Sequence, residues 1–494
     1  MSLIKVTNLT FAYDGSYDNI FENVSFQMDT DWKLGFTGRN GRGKTTFLNL
    51  LLGKYEYSGT ISANVNFEYF PFTVEHKENN TVDIVAEIYP DYEHWRLIRE
   101  LSLLKVSEDV LYRPFESLSH GEQTKVLLAA LFLKENRFLL IDEPTNHLDL
   151  HARKLVSDYL NGKSGFILVS HDRAFLDHCV DHIISINKTD IEVQKGNFSD
   201  WWENKQRQDL YEMAGNEKLK KDIKRLSEAA QRTSNWSHEV EKTKNGTRNS
   251  GSKVDKGYIG HKAAKMMKRS KSIEQRQQSA LEEKSRLLKN VESSEALKIS
   301  QLTYHKHQLV ELDRVSIHYG EKQVCGDINF TIEQGDRIAL SGPNGSGKSS
   351  LLKLICGEDI PYTGALRIGS QLKISYVSQD TSHLRGDLSD FARNSVIDES
   401  LFKSILRKLD FSRLQFEKDI SSFSGGQKKK VLIAKSLCER VHLHVWDEPL
   451  NFVDVISRMQ IEELLLQHAP TILFVEHDSE FCSHIATKTV ELKL

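Results

Sequence analysis

GRNGRGKT, residues 38–45, recurs almost letter for letter as GPNGSGKS, residues 342–349. Both fit the phosphate-loop pattern G-x-x-x-x-G-K-[ST]. In a strand–loop–helix unit, glycines let backbone N–H groups approach and cradle phosphates at a helix N-terminus, where the dipole favours negative charge. The candidate phosphate-binding residues are therefore Gly38, Asn40, Gly41, Gly43, Lys44, Thr45 and Thr46 in the first copy. In the second they are Gly342, Asn344, Gly345, Gly347, Lys348, Ser349 and Ser350. The lysines neutralise the β- and γ-phosphates, and the hydroxyls of Thr45 and Ser349 are placed for Mg2+.

The repeat extends far beyond the loops. Lys44 is followed by LSHGEQ (Ser119, 75 positions on), FLLIDEP (Asp142, 98 on) and LVSHD (His171, 127 on). Lys348 is followed by FSGGQ (Ser424, 76 on), LHVWDEP (Asp447, 99 on) and FVEHD (His477, 129 on). Four markers in one order at near-constant spacing exclude coincidence and predict two copies of one domain. The apolar runs before each Asp-Glu read as buried parallel strands. Asp142 and Asp447 are assigned to the Mg2+ shell, Glu143 and Glu448 to the attacking water, and His171 and His477 to sensing the γ-phosphate.

Bulk properties bound the rest. The 494 residues are 39% hydrophobic and 27% charged, enough for two or three globular domains. The longest apolar run, Val126 to Leu133, has eight residues, far short of the roughly 20 that span a bilayer. The N-terminus, MSLIKVTNLTFAYDG, alternates like a strand and lacks the parts of a signal peptide, which predicts a cytoplasmic protein. Five scattered cysteines without a Cys-x-x-Cys pair read as reduced thiols. Net charge is −3, but residues 201–300 carry 23 Lys and Arg against 14 Asp and Glu; that +9 leaves −12 for the remainder.

With LSHGEQ and SGGQ each set before a helical run, the chain resembles the ATP-binding cassette superfamily. The resemblance implies an α/β fold of two tandem phosphate-loop ATPase domains whose signature segments cap each other's ATP. Site one would then join Gly38 to Thr45 with Ser424, Gly425, Gly426 and Gln427. Site two would join Gly342 to Ser349 with Ser119, Gly121 and Gln123. Tyr13 and Tyr319 would stack on adenine, and Gln379, in SYVSQD, would join the metal set. The matching first-copy stretch, EYFPF, puts Phe72 in the Gln place. The second copy also reads NFVD where the first reads NHLD. Both sites are expected to work, site one more slowly.

Between the copies lies a different kind of sequence. Leu219, Ile223, Leu226 and Ala230 step by 4, 3 and 4, a helical stripe within about Glu203 to Trp236; Ile273, Ala280, Leu287 and Val291 mark a return helix. Two helices of ~30 residues would each reach roughly 45 Å. Glycines 246, 251, 257 and 260 break the helices, and ten Lys and Arg against Asp255 alone lie between Lys242 and Lys271. Such a tip suits a phosphate-rich surface. Its candidate RNA-binding residues are Lys244, Arg248, Lys253, Lys256, Tyr258, Lys262, Lys265, Lys268 and Arg269. The expected domains are a first ATPase domain, 1–202, a basic α-helical hairpin linker, 203–303, with its tip near 242–260, and a second ATPase domain, 304–494. This layout, with KGNFSDWWENK at residues 195–205, resembles the F-type cassette proteins, whose linker hairpin enters the ribosomal E site. FAYDG, DTDWKLGFTGRNGRGKTT, VLYRPFESLS and WDEPLN resemble the Lsa-type antibiotic-resistance group. The resemblance implies a monomer with ATP and Mg2+ as cofactors and the ribosome as partner, through 23S rRNA and P-site tRNA, with no membrane and no DNA. It also implies protection from lincosamides, pleuromutilins and streptogramin A compounds. A housekeeping translation factor and the ATPase component of a transporter are the alternatives.

Overall fold

Strand β3, Lys33–Thr37, shows how each copy is built, because it is buried along most of its length and ends where the phosphate loop begins. The structure, a computed structural model, describes residues 2–15, 19–146, 148–187, 190–245, 268, 275, 301–320 and 322–492. The remaining strands of the first cassette are β1 (Leu3–Phe11), β2 (Phe21–Asp29), β4 (Ser58–Ser62), β5 (Asn66–Phe70), β6 (Arg137–Asp142), β7 (Phe166–Val169), β8 (His182–Asn187) and β9 (Asp190–Lys195). They form a six-stranded sheet, β5-β6-β7-β3-β8-β9, parallel except at β8–β9, and a separate antiparallel sheet, β2-β1-β4. Ile4, Val6, Val24 and Met28 of the antiparallel sheet share a core with Phe36, Leu140 and Ile167, closing over Phe47 and Leu48 of the helix Lys44–Leu51.

The second cassette repeats this plan with β10 (Gln308–Tyr319), β11 (Lys322–Glu333), β12 (Arg337–Ser341), β13 (Tyr362–Ile368), β14 (Ile374–Val377), β15 (Leu443–Asp447), β16 (Ile472–Val475) and β17 (Lys488–Glu491). Its parallel sheet runs β14-β15-β16-β12-β17, and its antiparallel sheet β11-β10-β13. Alternation along the central strands divides two cores. Leu443, Val445, Leu473 and Val475 face the antiparallel sheet, whereas Trp446, Ile472 and Phe474 face the helices Glu399–Lys408, Gly425–Cys438 and Val455–His468. A strand buried on both faces needs apolar residues at every position, which is why these runs lack polar alternation. The parallel strands deliver the phosphate loops, the Asp-Glu pairs and the histidines together at their carboxyl ends, the usual ligand edge of such sheets.

The chain divides into two compact units, Met1–Trp201 with Ala296–Leu494, and Trp202–Glu295. Both cassettes lie in the first unit. Residues 301–307 lie along the second cassette: Leu302 N donates to the Val441 carbonyl at 3.1 Å and Tyr304 Oη to that of Ser370 at 2.9 Å. The domain boundary expected at 303 therefore falls inside a strap of the second cassette.

The first linker helix is longer than its apolar stripe predicts. It runs Phe198–Asn245, 48 residues, or about 72 Å. Leu219 and Ile223 are half-buried among exposed neighbours, as a stripe requires. Lys244 lies in the last turn and Lys268 is helical and exposed. Arg248, Lys253, Lys256, Tyr258, Lys262, Lys265 and Arg269 lie outside the described residues, as does most of the expected return helix. Among the described residues, no helix is long and apolar enough to cross a membrane.

Candidate nucleotide sites

Each phosphate loop ends on a glycine in the left-handed region that caps the following helix. Gly43 (φ 97°) could not carry a Cβ, which would lie 2.5 Å from Ile20 Cγ2; at Gly347 (φ 83°) it would lie 2.9 Å from Cys325 Sγ. Both lysines fold back over their loops. Lys44 Nζ donates to the Gly38 carbonyl at 2.7 Å and to Asn40 Oδ1 at 3.3 Å, and Lys348 Nζ to the carbonyls of Gly342 and Pro343 at 2.8 and 2.9 Å. Burial holds both ammonium groups below their ordinary pKa, partly offset by Asp454, Glu143 and Asp142 around Lys44, and by Glu448, Asp149 and Asp447 around Lys348.

Next to each lysine sits a hydroxyl–carboxylate pair. Thr45 Oγ1 donates to Asp142 Oδ2 at 3.2 Å, and Ser349 Oγ to Asp447 Oδ1 at 3.1 Å. Burial raises the pKa of both aspartates. A sequence reading misses a third member: Tyr69 Oη donates to Asp142 Oδ2 at 3.0 Å and Tyr376 Oη to Asp447 Oδ2 at 3.4 Å. The signal was present as a tyrosine three positions before Phe72 and before Gln379. Register makes this equivalence firm, since Tyr69 pairs with Leu140 and Tyr376 with Val445, each two residues before its aspartate. It also puts Phe72 at the place of Gln379. There the Phe72 ring lies under Lys134 Nζ, 5.3 Å from the ring centre.

Glu143 and Glu448 both take left-handed backbone, φ 51° and 47°, a conformation unfavourable for a glutamate. Their N–H groups donate to Val169 and Val475, which ties each to the strand carrying its histidine. His171 Nε2 is 3.3 Å from Glu143 Oε1 and His477 Nε2 is 3.5 Å from Glu448 Oε1. The carboxylates then differ. Glu448 Oε2 accepts from Gln379 Nε2 at 2.9 Å and Asn451 Nδ2 at 2.6 Å. Burial opposes its charge, but bonds from His477 and Asn451 and the nearby Lys348 outweigh it and keep the carboxyl below the usual range. Burial and the charge of Asp142 instead push Glu143 up to about 8, and its Oε1 is buried without a hydrogen bond. His171 is held neutral by burial, with Lys44 and Arg458 adding to the effect. Gln379, expected among the metal ligands, thus spends its amide on Glu448.

Ser119 and Ser424 each open a helix through a reciprocal cap, with Glu122 and Gln427 as the third-position partners. This corrects one assignment. The counterpart of Gln427 is Glu122, because the helix register is counted from the serine; Gln123 turns inward and donates to the carbonyls of Phe115 and Leu118. Tyr13 (43% exposed) bonds Thr46 Oγ1 at 2.8 Å and Tyr319 (50% exposed) donates to Ser350 Oγ at 3.1 Å, so each loop carries a tethered, accessible aromatic face.

The cassettes meet across the loops. Asn40 Nδ2 donates to the Phe452 carbonyl at 2.7 Å, and a Cβ on Gly426 would come within 3.1 Å of that same Asn40 nitrogen. The first phosphate loop thus lies against the signature helix of the second cassette. In return, Arg153 Nη1 donates to the His477 carbonyl at 3.0 Å and to Asp172 Oδ2 at 3.1 Å. Its counterpart Arg458 bonds Asp478 Oδ2 at 3.1 Å. Neither arginine was singled out from sequence, although each follows its Asp149 or Asp454 by four positions.

The residues present fit a magnesium nucleotide. A Cβ on Gly41 or Gly345 meets nothing within 4 Å, so the loops are open on that side. Paired hydroxyl and carboxylate oxygens form a hard-donor set for Mg2+. The buried, unbonded Glu143 Oε1 is the kind of acceptor a water could use.

A family model described as "ABC transporter" matches residues 21–146 and 325–451. The "Ribosome protection protein VmlR" of Bacillus subtilis (strain 168) is 28% identical, aligned over 100% of this chain and 86% of its own length. The "ATP-binding protein Uup" of Buchnera aphidicola is 27% identical over 99% of this chain and 80% of its own. Among solved structures, the archaeal ribosome recycling factor aABCE1, in complex with the stalk protein aP1, superposes with a TM-score of 0.63 at 17% identity, covering 99% of this chain and 87% of that one. That likeness is one of fold.

Proposed function

Because the chain belongs to the ABC transporter family, we propose that it is an F-type member that acts on the ribosome, where its ATP-bound form displaces antibiotics from the peptidyl-transferase region. It is an ATP hydrolase with two cassettes in one polypeptide. The observation that carries the proposal is the 48-residue helix between the cassettes, which leads into a segment with ten Lys and Arg against one acid. A transporter ATPase needs a coupling surface for a membrane partner, whereas the basic segment that follows this helix offers charge suited to phosphates. The name of the Bacillus subtilis relative supports the same direction. Susceptibility to lincosamides, pleuromutilins and streptogramin A compounds, with and without the gene, separates protection from a housekeeping role on the ribosome.

When bound, ATP would supply the phosphoryl group and Mg2+ the charge that screens it. Thr45 with Asp142, and Ser349 with Asp447, would hold the metal; Lys44 and Lys348 would leave their loop carbonyls for the phosphates. Glu143 and Glu448 orient and deprotonate water, and His171 and His477 sit beside them to report the state of the γ-phosphate. Signature residues from the opposite cassette complete each site, so hydrolysis removes the ligand that bridges the cassettes and lets them part. The double change Glu143→Gln and Glu448→Gln should therefore trap the protein on ribosomes in ATP. Pelleting no better than wild type would refute this assignment of the carboxylates.

A further inference from the structure

The two sites differ in one contact that no sequence motif marks. Arg39 Nη1 forms an ion pair with Asp410 Oδ1, and Arg42 Nη2 lies 3.8 Å from Asp410 Oδ2. Both arginines belong to the first phosphate loop, whereas Asp410 belongs to the second cassette, just beyond the helix Glu399–Lys408. Asp410 occupies the left-handed position (φ 66°) of a helix-ending turn in which Phe411 N donates to the Leu406 carbonyl at 2.9 Å. Asp tolerates that conformation better than most residues, and the turn fixes where its short side chain stands.

The first cassette builds the same turn: Val106 N donates to the Leu101 carbonyl at 2.9 Å and Lys105 takes the left-handed place, φ 50°. So the counterpart of Asp410 is a lysine. The counterparts of Arg39 and Arg42 in the second loop are Pro343 and Ser346, and the loops superpose in register because Arg42 N→Arg39 O (3.4 Å) recurs as Ser346 N→Pro343 O (3.3 Å). Two cations facing a carboxylate at site one become two uncharged residues and a lysine at site two.

We propose that Asp410 is a positioning residue for the first phosphate loop, a charge latch that draws site one, and not site two, toward closure. Its pull reaches the nucleotide ligands directly, since the Arg39 carbonyl is 3.4 Å from Lys44 Nζ and Asn40 is bonded across the same seam. With side chains 23% and 19% exposed, Arg39 and Asp410 are partly shielded from solvent, where an ion pair contributes more than on an open surface. Site one should then hold nucleotide more tightly, and lose that advantage as salt rises.

The proposal rests on residues 38–45 forming a phosphate loop, and the test keeps the two ideas apart. A fluorescent ATP analogue is titrated against the full chain, with steady-state ATPase measured in parallel. Wild type should show two affinity classes. Asp410→Lys should weaken the tighter class by about fivefold to tenfold and leave the weaker class in place, raising KM far more than it lowers kcat. Asp410→Glu should retain most of the affinity, and the exchange of Arg39→Asp with Asp410→Arg should recover at least half of the loss caused by either single change. The latch is overturned if Asp410→Lys leaves both classes unchanged or weakens them equally, or if the exchanged pair binds no better than the single variants. Absence of analogue binding to wild type would overturn the loop reading, and the latch with it.

Discussion

Glu143 and Glu448 share a backbone conformation and a histidine neighbour, yet their carboxylates have different surroundings, and Phe72 accounts for part of the difference. At site two, Gln379 and Asn451 donate to Glu448 and favour its charged form. At site one the Gln place is a phenyl ring, and Glu143 is buried with its pKa raised to about 8 from the ordinary 4.5. A general base must be ionised, so a raised pKa leaves it mostly protonated at pH 7 and frees it as pH climbs through 8. Glu448→Gln should accordingly cost more turnover than Glu143→Gln at pH 7. The residual ATPase of Glu448→Gln should rise severalfold between about pH 7 and pH 9, while that of Glu143→Gln stays nearly flat, because Glu448 is already ionised. A pH–rate profile of the two variants at saturating ATP checks both statements. The places of the glutamates, the loop lysines and Gln379 were legible because a short motif fixes them, although the bond from Gln379 to Glu448 was not. Tyr69, Tyr376 and Arg153 were not, because their roles depend on strand register and on the opposite cassette, and neither has a local spelling. The Gln123 assignment failed for a related reason: LSHGEQ offers two polar residues for one place, and only the cap geometry selects Glu122.

Among elements, the linker helix departs furthest from expectation. Apolar periodicity reports where a helix needs a neighbour, and it located the stripe at Leu219 and Ile223 correctly. Helix limits are set otherwise. At the start, Asn197 N donates to Asp200 Oδ2 at 3.2 Å while Asp200 N donates to Asn197 Oδ1 at 2.9 Å, a reciprocal cap six residues ahead of Glu203. Phe198 and Trp201 are buried in that first turn, ring centres 5.4 Å apart. The pairs Arg207 with Glu203 and Lys205 with Asp209 then extend a polar helix by i,i+4 contacts. Asn197→Ala should cost about 1 kcal/mol. The initial rate of limited proteolysis near residue 200 should rise accordingly, with no comparable change from alanine at exposed Gln208. The strands before each Asp-Glu, by contrast, were legible, since FLLI and LHVW are short apolar runs of the kind that a doubly covered parallel strand requires.

At the scale of the whole molecule, duplication was the strongest signal in the sequence, because four markers repeat at matched spacing. The breaking of that symmetry was not legible: Arg39, Arg42 and Asp410 are ordinary charges until the cassettes are brought face to face. Replacing residues 246–257 with a Gly/Ser stretch of equal length should abolish drug protection, with ribosome-free ATPase as the control, since all the groups of both candidate sites lie elsewhere in the sequence. Protection at the wild-type level, at normal expression, would reduce the linker to a tether. The seam in which Asn40 meets Phe452 and Gly426 also has a genetic consequence. Residues that sit hundreds of positions apart belong to one functional locus, and residues of one cassette belong to two. Lesions at Lys44 and Ser424 strike the same site and should mask each other, so that the double variant is little worse than the more severe single one. Under the proposed pairing of signature segments with opposite loops, lesions at Lys44 and Ser119 fall in different sites and should compound. Epistasis in this chain should follow the seam between cassettes, and a map of interacting mutations would sort its residues into groups that cut across both repeats.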